Sequence, residues 1–283
     1  MNRIIQDETA FLRAPIIDTS AELEITDIKN ISAVAAKLKK LYGDITVVAD
    51  GTHVAISALK SAKTIAVAAQ TDFDKKRYNA ADAMRVIARL TLDEGGCPWD
   101  KAQTHESIRI NMIEEAYEAV DAIDKRDVEN MREEFGDVFL QSILQSDIAR
   151  RAGEFDFDDV CDELCKKLIG RHTFIFGADS ATNPDEALTL WEKAKGVEKH
   201  YDTVKNQLER LPDNFPSLLL CQKTHKKLKK AGAPQTAAAD LQSAIAARDY
   251  TRIIAACAAL LSDDGKDAEV ELNTLVKRKI AEL

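Results

Sequence analysis

Apolar positions recur along this chain at two periods. In residues 31–43, ISAVAAKLKKLYG, Ile31, Val34, Leu38 and Leu41 keep helical spacing, and Gly43 ends the run, which predicts a helix. DITVVAD at 44–50 and KTIAVAAQ at 63–70 are short apolar or β-branched runs between turn residues and predict strands. HVAISALKS, between them, reads as a second helix. Residues 1–80 are thus expected to form a small α/β segment of two strands, the remnant of a fused domain. From about residue 80 the period is helical. NAADAMRVIARLTLD stops at Gly95-Gly96, and CPWDKAQTHES forms a loop in which Thr104 or Ser107 caps the next helix. DFDDVCDELCKKLIGRH predicts a helix with Val160, Leu164 and Leu168 inward, and ATNPDEALTLWEKAKG a helix opened by Asn183-Pro184 and closed by Gly196. QLERLPDNFPSLLLCQKTHKKLKKAG is a proline-broken linker followed by an amphipathic helix, and the alanine-rich tail is helical again. The expected fold is mainly α: an antiparallel helical-bundle core with a small N-terminal α/β segment and a helical C-terminal unit. The expected divisions are 1–80, 81–200, 201–232 and 233–283.

Polar positions interrupt this pattern most sharply in residues 113–137, IEEAYEAVDAIDKRDVENMREEFGD. Glu115/Glu118 and Glu134/Asp137 are each spaced i,i+3, which puts both members of a pair on one helix face. DKRD between the pairs is long enough for a tight turn, so the simplest structure is an antiparallel hairpin with four carboxylates facing one space. Apolar residues flank them: Ile113, Ala119, Val120 and Ile123 before the turn, Phe135, Val138 and Phe139 after it. Clustered carboxylates in such a setting must protonate, be paired, or share a cation. An all-oxygen set of this kind suits Mg²⁺ or Mn²⁺.

Composition narrows the function classes. The chain has 283 residues, 45% of them hydrophobic, and a net charge of −9. That balance argues against stable nucleic-acid binding or an anionic-membrane surface. No apolar run is long enough to span a bilayer, and no secretory leader opens the sequence, so a cytoplasmic protein is expected. Five cysteines without a CxxC pair are expected to be reduced thiols.

GCPWDKAQTHES, EEAYEAVDAID, EEFGDVFLQSIL, KLIGRHTFIFG and WEKAK follow one another in this order. Together they resemble the MazG family of nucleoside triphosphate pyrophosphohydrolases, strongly over residues 82–200 and more weakly to about 232. The resemblance implies Mg²⁺-dependent hydrolysis of nucleoside triphosphates to the monophosphate and pyrophosphate, in nucleotide-pool house-cleaning. It places the family's metal motif on Glu114, Glu115, Glu118, Glu134 and Asp137. Glu115, Glu118, Glu134 and Asp137 are then the ligands, and Glu114 serves a second ion or the attacking water. Four such carboxylates can clamp a polyphosphate through metal and activate water, and phosphoryl transfer needs no protein nucleophile.

Nearby cations and aromatics, Lys167, Arg171, Lys193 and Lys195 with Trp99 and Trp191, are the candidates for phosphates and base. The family's RHPHVFG-like block reads RHTFIFG here, which favours Arg171 over His172. The resemblance also implies a homodimer. The C-terminal segment resembles a shortened second unit in which the carboxylate pairs are missing, expected to pack and not to catalyse. The competing expectation is a catalytically weak or inactive nucleotide-binding scaffold.

Overall fold

The computed structural model describes residues 2–283 apart from 72, 74, 200–202 and 235. The chain divides into two compact units, Met1–Leu164 and Cys165–Leu283.

The first unit opens with β1 (Arg3–Asp7), α1 (Glu8–Arg13), β2 (Glu22–Thr26), α2 (Ile31–Tyr42), β3 (Thr46–Ala49), β4 (Thr52–Ala55) and β5 (Ile65–Val67). The strands form one sheet in the order β1-β2-β5-β3-β4. β1 and β2 are parallel, and the remaining pairings are antiparallel. Phe11, Leu23, Ile25, Val34, Leu38, Val47, Ile65 and Val67 form its core. In β2 the buried positions alternate, Leu23 and Ile25 facing in, as a half-buried strand requires.

This sheet is larger than the two strands expected, and HVAISALKS is not a helix. Its first residues belong to β4, followed by a single 3₁₀ turn at Ile56–Ala58. The reason lies just before it. Asp50 and Gly51 both take positive φ, 46° and 81°, and join Ala49 to Thr52 in register. An Asp-Gly two-residue turn commits the chain to a hairpin and overrides the weak helical spacing that follows.

Helices then take over: α3 (Ala80–Leu90), α4 (Pro98–Lys101), α5 (His105–Lys125), α6 (Val128–Ala152) and α7 (Phe157–Arg171). α3 begins with a capping box between Asn79 and Asp82. Ile87, Ile108, Ile143, Leu144 and Ile148 make a second core that joins α3, α5 and α6. The boundary between the two units falls within α7, whose Val160, Leu164 and Leu168 are exposed and not inward as expected.

The second unit continues with α8 (Thr173–Phe176), α9 (Pro184–Glu198), α10 (Val204–Glu209), α11 (Ser217–Lys230), α12 (Ala237–Ala247), α13 (Tyr250–Asp263) and α14 (Ala268–Ala281). Buried Gln222 on α11 ties three of them. Its Nε2 donates to the Ala258 and Lys266 carbonyls at 3.1 and 2.9 Å, and its Oε1 accepts from the Ala268 N–H at 3.1 Å. The whole is mainly α, as expected.

Candidate metal centre on the helical hairpin

α5 and α6 form the antiparallel hairpin that the acidic pattern predicts. Thr104 caps α5 in a reciprocal box with Ser107. The helix ends at Arg126, which takes the left-handed conformation with φ 57°. Asp127 then caps α6, its side chain accepting from the Asn130 N–H at 3.1 Å. A left-handed residue followed at once by an N-cap reverses the chain with no spare loop. The two helices are thereby locked in one register, and the carboxylates of α5 face those of α6.

Carboxylate oxygens of Glu115, Glu134 and Asp137 lie within 4.8 Å of one another. Glu115 and Asp137 are half-buried. Desolvation pushes the Glu115 carboxyl above its ordinary range, and the negative charges of Asp137, Glu118 and Glu114 push the same way. Glu134 is likewise raised, first by desolvation and then by Glu118, Asp137, Glu133 and Glu115. Glu118 is exposed but close enough to act on both. Glu114 is exposed beside Glu115. Burial and like charge both disfavour the ionised form, so the two shifts share one sign.

The chemistry of the donor set fits a hard divalent cation. It offers only carboxylate oxygens, and its open side leaves coordination positions for water or phosphate. Gln141 adds a second sign. It lies one turn beyond Asp137 on α6, is 6% exposed, and its Oε1 has no hydrogen-bond partner among the described residues. Its side chain hydrogen-bonds to Glu115 and opposes the upward shift there. A buried acceptor left open beside a carboxylate cluster is what a bound ion with its waters would satisfy. The sequence reading missed Gln141. Its signal was a glutamine inside the apolar run FLQSIL, four residues after Asp137.

The other expected site residues are placed as follows. Trp99, on α4, is exposed. Lys167 is exposed on α7. In the second unit, Trp191 carries two cations on its ring: Arg171 Cζ at 5.1 Å and Lys195 Nζ at 5.0 Å from the centroid. Arg171 is buried and grips Glu198 with both arms of its fork, at 2.7 and 2.9 Å. That contact holds the Glu198 carboxyl down at about 2. The structure thus gathers Arg171, Trp191 and Lys195 into one cluster, with the Arg171 fork engaged by a carboxylate of its own unit.

Residues 103–176 match the model of the MazG nucleotide pyrophosphohydrolase domain. Among curated relatives, a nucleoside triphosphate pyrophosphohydrolase of Escherichia coli strain K12 is 36% identical over 149 residues, 53% of this chain and 57% of its own length. The nucleoside triphosphate pyrophosphohydrolase/pyrophosphatase MazG of Thermotoga maritima is 44% identical over 118 residues, 42% of this chain and 44% of its own. A nucleoside triphosphate pyrophosphohydrolase of Mycolicibacterium smegmatis is 33% identical over 187 residues, 65% of this chain and 56% of its own. The chain therefore matches about half the length of these relatives. A crystal structure of a mazG-related protein from Thermotoga maritima aligns with 41% of this chain and 97% of its own, at 25% identity and a TM-score of 0.36.

Proposed function

We propose that the chain, whose residues 103–176 match the MazG nucleotide pyrophosphohydrolase domain, is an enzyme of that family and hydrolyses nucleoside triphosphates to the monophosphate and pyrophosphate. The observation that carries the proposal is the convergence of Glu115, Glu134 and Asp137 within 4.8 Å, inside the matched segment.

In this reading Glu115, Glu118, Glu134 and Asp137 hold Mg²⁺, with Mn²⁺ as a substitute. The bound ion supplies neutralisation of the polyphosphate and a water of lowered pKa. The chain's own contributions follow from its geometry. The hairpin turn fixes the spacing of the two carboxylate pairs, so the ligands are preorganised. Gln141 orients Glu115 and offers a free acceptor to a nearby water. Glu114, exposed beside Glu115, serves a second ion or orients the attacking water as its base. Trp99, in the same unit, is the candidate for the base, and Lys167, Arg171, Trp191 and Lys195 are the substrate candidates of the second unit. Such an enzyme clears unwanted triphosphates from the nucleotide pool. Ile110, Ile113, Tyr117, Val120 and Phe135 stand exposed on the hairpin, which fits a second copy of the chain packed there as a homodimer.

Product analysis tests the proposal. The full chain, incubated with each common triphosphate and Mg²⁺, is expected to yield monophosphate and pyrophosphate in equal amounts. Release of diphosphate and inorganic phosphate, or no turnover of any triphosphate, would overturn it.

A further inference from the structure

The turn between α5 and α6 occurs a second time. Arg248 follows α12 in the left-handed conformation, φ 54° against 57° at Arg126. Asp249 caps α13 by accepting from the Arg252 N–H at 3.1 Å, as Asp127 caps α6 at 3.1 Å. The backbone N–H of Asp249 reaches the Ala244 carbonyl at 2.9 Å, and that of Asp127 reaches Ala122 at 3.0 Å. Even the residues recur: Ala122, Ile123, Arg126 and Asp127 reappear as Ala244, Ile245, Arg248 and Asp249, at a constant displacement of 122. The second unit thus carries a copy of the acidic hairpin in the same register.

Carried along both helices, the displacement places Glu115, Glu118, Glu134 and Asp137 on Ala237, Asp240, Ala256 and Ala259. All four of these residues line one cavity of about 580 Å³. Three carboxylates have become alanines on helices that kept their pairing, and the space they would fill is open. α11 walls it with Leu220, Thr224, His225 and Leu228. A single carboxylate, Asp240, remains, and it accepts from the Thr236 hydroxyl at 2.6 Å. One carboxylate cannot replace the donor set of the first hairpin, so the copy is not a divalent-cation site.

Its charge has fallen toward neutrality as well. Arg252 stands where the first hairpin has Asn130, with its guanidinium 3.9 Å from Asp240. Lys229 and His225 also line the cavity, and both reach Asp263 Oδ1, at 2.5 and 3.0 Å. The volume lies within the roughly 300–1,000 Å³ usual for small-molecule pockets, and alanine, leucine and proline walls with a few polar groups match their usual chemistry. Such walls suit a planar ring, and the cations suit one phosphate group. A triphosphate carries too much charge for them without a metal. A monophosphate, at about −1.5 to −2 near neutrality, calls for two cations, and Arg252 and Lys229 can supply them by turning from Asp240 and Asp263, their partners in partly exposed pairs.

We propose that the cavity between α11, α12 and α13 binds a nucleoside 5′-monophosphate without metal, its base against the alanine walls and its phosphate at Arg252 and Lys229. The choice of ligand rests on the proposed function, since the monophosphate is that reaction's product. The second hairpin is then a product-sensing site, derived from a metal site by loss of its ligands.

Isothermal titration of the full chain in excess EDTA tests this, with AMP, GMP, CMP and UMP as probes and inorganic phosphate as the control. At least one monophosphate is expected to bind at one site per chain. Arg252→Glu should weaken it by about tenfold or more. Ala256→Leu, which fills the cavity, should abolish it, with circular dichroism confirming that the helices remain. Glu134→Gln, in the first hairpin, should leave it unchanged. Absence of binding in EDTA, equal binding by inorganic phosphate, or loss on Glu134→Gln would each overturn the proposal. Turnover with Mg²⁺, measured on the same sample, separates the two readings. Active protein that binds no monophosphate in EDTA sinks this inference alone, whereas inactive protein that binds it sinks only the catalytic reading.

Discussion

Two carboxylates of the acidic hairpin have pKa values raised by burial and by one another. A raised carboxyl pKa stabilises the folded state below the ordinary carboxylate value and loses that contribution as pH rises through the shifted one. The metal-free protein should therefore become less stable as pH climbs from about 4.5 toward neutrality, and Mg²⁺ should restore the loss. Thermal melts should show a larger gain from millimolar Mg²⁺ at pH 7.5 than at pH 5; equal gains would place the ion elsewhere. Glu198 has the opposite sign. Its pKa is depressed to about 2, so its contribution is present above 4.5 and fades only in strong acid. Gln141→Ala should weaken metal binding by about 10–100-fold, the usual effect of losing a group that orients a ligand. The ExxE and ExxD spacings were legible because a helix turns i,i+3 neighbours onto one face. Gln141 was not, because its meaning depends on Glu115 across the turn, which no spacing within α6 reveals.

At the scale of elements, caps and turns decide the architecture. Asp127 both ends the reversal and opens α6, so Asp127→Ala should lower stability by about 1 kcal/mol in denaturant unfolding. A neutral result would mean that tertiary packing alone sets the register of the hairpin. The long helices were readable from their period and their caps: Asn79 before α3, Thr104 before α5, Asn183 before α9. The N-terminal sheet was not. β1 and β2 pair in parallel across α1, and their residues, RIIQD and ELEIT, are too polar and short to stand out. The Asp50-Gly51 turn was present in the sequence, and its chemistry outweighs the helical spacing read into HVAISALKS.

At the scale of the molecule, the second unit tests whether a hairpin can lose its chemistry and keep its fold. Removing residues after Gly232 would take away all three hydrogen-bond partners of buried Gln222. Leaving such a group unpaired costs about 1–3 kcal/mol, before the lost apolar burial is counted. The truncated chain should aggregate or change its oligomeric state in light scattering, while Glu269→Ala in the full chain should leave turnover unchanged. The decline of the tail's carboxylates was legible in the sequence. The cavity was not, since it exists only where Ala237, Ala256 and Ala259 converge with α11.

The central claim is that the carboxylates of α5 and α6 hold a divalent cation together. Electron paramagnetic resonance of Mn²⁺, titrated into the full chain, tests it most directly, because bound and free ions are counted without reference to catalysis. The wild-type chain should bind Mn²⁺ at the hairpin, and Asp137→Asn should lose that binding while retaining its helical circular dichroism. Undiminished Mn²⁺ binding by folded Asp137→Asn would contradict the account.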